Sequence, residues 1–181
     1  MKKQILLVIA ILFTSLLSAQ KYITKTGNLS FSASVPMFED INAVDKNNTT
    51  VIDAETGAIA SVTVVNNFKF SVKLMEEHFN ENYAESAKYP KTTFKGKIVT
   101  FKLSDLSATP KKYNIKGTLT FHGVAKEINT LASVSLKDNK IIVKGAFKVK
   151  PADYKVTIPK MVMKKIAEEV DVKYNFVLSK Q

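Results

Sequence analysis

Between residues 113 and 178 the chain alternates apolar and polar side chains through four successive runs, and few folds accommodate such a pattern. Tyr113, Ile115, Leu119 and Phe121 are interleaved with Asn114, Lys116, Thr118 and Thr120. Ile128, Ala132, Val134 and Leu136 are interleaved with Asn129, Ser133 and Ser135, and Ile141, Val143, Phe147 and Val149 with Lys144 and Lys148. Val170, Val172, Tyr174, Phe176 and Leu178 alternate with Asp171, Lys173, Asn175 and Ser179. Side chains of a strand point to opposite faces in turn, so these runs describe antiparallel sheet with one apolar and one wet face. The apolar face has to close on itself or on another layer.

Upstream, Lys21 to Thr26 opens a short stretch, and Leu29, Phe31, Ala33 and Val35 alternate with Ser30, Ser32 and Ser34 until Pro36 ends the strand. Asn47 to Ile52 reads as a strand, Asp53-Ala54-Glu55-Thr56-Gly57 as a turn, and Ala58 to about Phe70 as the returning partner. Leu74, Met75, His78, Phe79 and Tyr83 recur at helical spacing before Tyr89-Pro90, which predicts one or two helical turns across an opening of the sheet, a natural lid. In Thr93 to Leu103 the apolar phase switches, so a bulge or sharp bend is expected near Ile98 and Val99. Turns are expected at His122 to Lys126 and Lys137 to Lys140, a helical turn at Pro151 to Tyr154, and an irregular or helical linker at Pro159 to Ile166. The total is about eight antiparallel strands with two short helical excursions. A sheet of that size rolls into a barrel whose interior is filled by side chains or holds one small ligand.

The N-terminus has a different character. Met1-Lys2-Lys3 is basic, Ile5 to Leu17 is apolar apart from Thr14 and Ser15, and Ser18-Ala19-Gln20 is small and polar, the layout of a secretory signal cleaved near Ala19 or Gln20. Residues 1–19 are therefore set aside as a leader, with one domain over residues 20–181, periplasmic or secreted. No later apolar run is long enough to suggest a membrane span.

Cysteine is absent, which removes disulfides, thiolate chemistry, Cys-ligated zinc and a lipidated N-terminal cysteine. Without Lys2 and Lys3, 25 basic face 16 acidic residues, a charge near +9 that suits an anionic partner or reflects only a biased composition. Every basic residue is Lys. Specific nucleic-acid readout leans on the bidentate guanidinium, so no nucleic-acid partner is expected.

Catalytic chemistry has little foothold. His122 lies just before the turn glycine Gly123 and is better read as bonding that turn than as a base. His78 sits among Glu76, Glu77 and Glu81, but adjacent helix positions diverge, so no metal site is expected. Asp53-x-Glu55-x-Gly57 lacks EF-hand spacing and reads as a turn. The expectation is a protein that is not an enzyme and needs no cofactor.

Several segments carry a resemblance: Leu74-Met75-Glu76-Glu77-His78-Phe79, Lys88-Tyr89-Pro90 with Phe94-Lys95-Gly96, Gly117-Thr118-Leu119-Thr120-Phe121-His122-Gly123-Val124-Ala125-Lys126, and Gly145-Ala146-Phe147 with Asp153-Tyr154. In order and spacing they resemble the YceI-like domain over essentially the whole chain after the leader. The resemblance implies an all-β, lipocalin-like antiparallel barrel whose apolar tunnel holds a polyisoprenoid, of isoprenoid-quinone or prenyl-phosphate type, or a similar amphipathic lipid. It implies no shared catalytic residues.

On that reading the tunnel wall is expected to include Phe31, Met75, Phe79, Tyr83, Tyr113, Ile115, Leu119, Phe121, Phe147, Tyr174 and Phe176. His78, Lys160, Lys164 and Lys165 are candidates for the lipid head group. Transient contact with a membrane surface and a homodimer are both left open. The alternative is a filled barrel that acts as a binding or stress protein through its basic surface, with no lipid cargo.

Overall fold

The computed structural model describes residues 20–181, so the expected leader over residues 1–19 lies outside the described residues. The strands are β1 (Lys21–Ser32), β2 (Asn42–Asp53), β3 (Ala58–Val64), β4 (Lys69–Phe70), β5 (Lys91–Ile98), β6 (Lys111–Phe121), β7 (Val124–Lys137), β8 (Lys140–Val149) and β9 (Val170–Lys180). Helix α1 (Lys73–His78) follows β4 and runs into a π-helical turn, Phe79–Tyr83. Antiparallel pairing proceeds β1-β9-β8-β7-β6-β5-β3-β2 and returns to β1, with Tyr22 opposite Ile52 and Phe31 opposite Ala43. The result is a closed eight-stranded barrel, as the alternation predicts, and closure removes the unpaired edges of an open sheet.

Local chemistry explains the tight connections. Asp53 Oδ1 accepts the Glu55 and Thr56 amides at 3.0 and 2.9 Å, and Gly57 at φ +73° turns the chain into β3. The β6–β7 turn is only His122-Gly123, both at positive φ, and Asp138-Asn139 join β7 to β8 in the same way. Two-residue turns of this hand match the twist of the strands they join.

β1 ends at Ser32 rather than at Pro36, β3 at Val64 rather than near Phe70, and β7 begins at Val124 inside the expected turn. Three further strand boundaries depart from expectation for local reasons. β1 is continuous from Lys21, and β2 begins at Asn42 rather than Asn47, because an irregularity hides the period. Asp45 and Asn48 are both buried with exposed Lys46 and Asn47 between them, and the register to β1 shifts on either side of Gly27. The third is β5, which stops at Ile98 with no bulge. Val99 and Thr100 turn, Thr100 at φ +57°, and Phe101 folds under the barrel against Gly57. The phase switch is thus a change of element.

Every ring strand sends an apolar side chain to one end of the barrel: Tyr22, Ile52, Ile59, Ile98, Ile115, Val134, Ile141 and Leu178, all buried. Phe101 and Leu106 pack with them. Fully burying one such aliphatic side chain is worth about 1.5–3 kcal/mol, so this plug is the main reservoir of stability. The loop 33–41, the excursion 65–90 that holds α1, the His122-Gly123 turn and the excursion 150–169 all leave from the opposite end.

Candidate functional site

Exposure along single strands locates the site. On β8, inward Ile141 and Val143 are fully buried, whereas Phe147 and Val149, further along the same face, remain partly accessible. On β9, Leu178, Phe176 and Tyr174 are buried but Val172 and Val170 are not. β6 repeats the gradient from Ile115 to Leu119 and Phe121, and β5 from Ile98 to Phe94 and Thr92. Since these side chains point inward, their exposure is to a hollow. It is a cavity of about 470 Å³ with a predominantly apolar lining. Cavities of this order hold small organic ligands.

Glycines keep the hollow open. Gly96 and Gly117 face each other across β5 and β6, and a Cβ on either would meet the Phe94 ring at 2.8 or 2.7 Å. Gly145 on β8 likewise lies under the phenol of Tyr174, its partner on β9. The rings lie along the wall instead of across the cavity, and any larger residue beneath them would push them off it.

The mouth is roofed by α1 and its π-helical turn. Phe79 packs its ring against Phe31, Phe70 and Phe68 at centroid distances of 5.2, 5.3 and 5.9 Å. Such ring pairs add about 0.5–1.5 kcal/mol each beyond area burial. The polar tether is Glu76, whose buried carboxylate accepts from Lys69 Nζ and Lys73 Nζ, both at 2.9 Å, and from the Phe70 amide at 3.3 Å. Those bonds, the one from Lys69 foremost, hold its pKa down at about 2.

A second tether is His122, whose ring reaches the Tyr154 carbonyl at 3.0 Å and the Glu85 carboxylate at 2.5 Å. It therefore joins both excursions to the β6–β7 turn and does not bond that turn, its largely buried ring lying 4.5 Å from that of Tyr89. Tyr154 itself is buried in the wall, its hydroxyl has no partner, and burial pushes its pKa up to about 12.

Of the candidate wall residues, Phe31, Met75, Phe79, Tyr83, Ile115, Leu119, Phe121, Phe147, Tyr174 and Phe176 all border the cavity. Tyr113 does not: it is next to the plug on β6 and borders a separate surface recess with Phe101 and Lys112. Its register is correct but its level in the barrel is wrong. Among the head-group candidates, His78 and Lys165 reach the mouth, while Lys160 and Lys164 are exposed on the same linker outside the cavity lining. Sequence reasoning missed Phe68, Phe70, Phe94, Val156, Ile158, Val162 and Ile166. Phe94 was within reach, since Thr92, Phe94, Gly96 and Ile98 alternate along β5. The others lie in irregular segments or a two-residue strand, where no periodicity marks a side.

A central patch of the wall is polar. Asn48 Nδ2 donates to Ser61 Oγ at 2.8 Å and Thr63 Oγ1 at 2.7 Å, and Thr50 Oγ1 donates to Asn48 Oδ1 at 2.6 Å. Ser61 and Thr63 border the cavity, so their hydroxyls are spent on the wall. Buried Asp45 has one unpartnered oxygen, and desolvation raises its pKa. Among the described residues no group of three or more His, Asp or Glu side chains converges as a metal site would require, and no helix is long and apolar enough to cross a membrane.

The family model for the YceI-like domain matches residues 21–178. No curated protein matches the chain. Among solved structures, a polyisoprenoid binding domain from Saccharophagus degradans implicated in plant cell wall breakdown superposes with a TM-score of 0.76 at 18% identity, covering 89% of this chain and 98% of that one. BcnA of Burkholderia cenocepacia gives 0.69 at 19% identity, over 84% and 96% of the two chains. The YCEI protein of Campylobacter jejuni gives 0.59 at 18%, over 81% and 88%. At these identities the likeness is one of fold.

Proposed function

The chain belongs to the YceI-like domain family, and from that premise we propose that it is an exported binding protein that sequesters or carries a polyisoprenoid, such as an isoprenoid quinone or prenyl phosphate, or a similar amphipathic lipid. The observation that carries this reading is the gradient of exposure along β5, β6, β8 and β9. An inward apolar wall that its own side chains leave uncovered is stabilised by an apolar guest. Each CH₂ group so withdrawn from water contributes roughly 0.8 kcal/mol, without any directional contact. His78 and Lys165 at the mouth are the groups nearest a polar head. The lipid named for the Saccharophagus degradans domain agrees with this class of ligand.

Binding rather than catalysis fits the polar groups. His122 is engaged by Tyr154 and Glu85 with no hydroxyl nucleophile between them. The filled-barrel alternative fares worse, because it requires Phe121, Phe147 and Val149 to be as buried as Ile141 and Val143.

Native mass spectrometry of protein purified gently from its own host, followed by organic extraction, tests the proposal. A discrete adduct with isoprenoid mass spacing is expected, on a chain that starts near Gln20. A bare protein mass, or cargo unchanged in a folded Phe121→Lys variant, would count against it.

A further inference from the structure

Nine large apolar side chains are conspicuously exposed among the described residues, and they fall into two groups. Val62, Val64, Leu131 and Val177 are single outward positions on strands, the ordinary apolar fraction of a protein surface. Met37, Phe38, Leu74, Met161 and Met163 all belong to the segments around the cavity mouth. Met37 is 101% and Met161 91% exposed, so neither packs on its own chain. The two loops that carry them are joined by the Ala167 amide donating to the Ala33 carbonyl at 2.9 Å.

Charge separates the sectors of this rim. The loop of Met37 and Phe38 carries Glu39 and Asp40, and on α1 Leu74 adjoins Lys73, whose charge is paired with Glu76, and lies one turn from Glu77. In the linker, by contrast, Met161 and Met163 alternate with inward Val162 and are flanked by Lys160, Lys164 and Lys165, none of which makes an ion pair among the described residues. Unbranched apolar tips beside lysines whose stems are themselves apolar suit a fluid interface with anionic head groups better than the fixed relief of a protein partner. Lysines near such a surface each contribute a favourable electrostatic increment that salt screens.

We propose that the linker Pro159–Ile166 docks the cavity mouth on an anionic lipid bilayer, Met161 and Met163 entering the head-group layer and the three lysines meeting its charge. This rests on the lipid-carrier reading and adds to it the route by which cargo enters and leaves: Val162 and Ile166, on the inner side of the same linker, border the cavity.

The test is vesicle flotation, since the chain has no Trp to report insertion by fluorescence. Purified protein is mixed at low and high salt with vesicles of phosphatidylcholine alone or with added phosphatidylglycerol, and bound lipid cargo is measured separately by extraction. Flotation with the anionic vesicles is expected to weaken about fivefold for each lysine removed from Lys160 and Lys164, which lie outside the cavity lining, and in Met161→Asp/Met163→Asp, with melting temperature and cargo unchanged. Equal flotation with both vesicle types, flotation that survives these substitutions, or none at low salt overturns the docking proposal. Cargo present in a protein that fails to float leaves the carrier reading standing and rejects only the docking, so the two failures are distinct.

Discussion

The Nε2 of His122 lies 2.5 Å from the carboxylate of Glu85, a residue 37 positions earlier in the chain. Its Nδ1 meets the Tyr154 carbonyl, so the two ring nitrogens engage groups from two different excursions of the chain. One imidazole thus fastens the end of the α1 excursion and the start of the 150–169 excursion to a rigid hairpin. His122→Ala is expected to cost about 1–3 kcal/mol, because a largely buried carbonyl loses its donor. A denaturant midpoint measures the cost. Faster hydrogen exchange confined to residues 84–90 and 151–156 would locate it.

Glu76 makes the roof of the cavity acid-sensitive. Its folded pKa of about 2 lies below the ordinary 4.5. A depressed carboxylate contributes stability that is complete above about 4.5 and is lost as pH falls toward about 2. Cargo release and exchange in residues 69–83 should therefore rise through that window. Glu76→Gln should show raised exchange already at neutral pH and little further change on acidification.

The filled and hollow halves of the barrel should respond differently to truncation. Ile141→Ala, in the plug, is expected to cost about 2–5 kcal/mol and leave the cargo in place. Leu119→Ala, on the partly accessible wall, should cost clearly less and alter cargo affinity or identity. Equal losses of stability at the two sites would contradict a hollow upper half.

Gly145→Ala places a methyl group where the Tyr174 ring lies. Displacing that ring into the cavity should cost about 1–3 kcal/mol through overpacking. For a chain of this length each kcal/mol lowers Tm by about 2–4 °C. Cargo content should fall with it, and Gly145→Ala/Tyr174→Leu should recover both.

The strands β6 to β9 were legible because their alternation is unbroken and their turns consist of residues that tolerate positive φ. The early part of β2 was not, since the irregularity at Lys46-Asn47 shifts the period in a stretch that is already polar. The switch near Ile98 was detected, but a bulge and a strand end leave the same trace in sequence, and only the burial of Phe101 under the barrel tells them apart. Phe68 and Phe70 escaped notice altogether: their inward orientation comes from β4 pairing with the part of β2 that β3 has left.

Periodicity alone determined the all-β class, the antiparallel order of the later strands and the face each side chain presents, because a strand's geometry converts sequence parity directly into direction. Whether the enclosed space is full or empty was decided by the tertiary structure. That depends on the volumes that eight strands contribute at each level of the barrel, on rings lying over Gly96, Gly117 and Gly145, and on Phe101 closing one end while α1 roofs the other. Tyr113 and Phe121 share a strand and a face, yet one lies beside the plug and the other on the cavity wall, a difference of height that alternation does not encode.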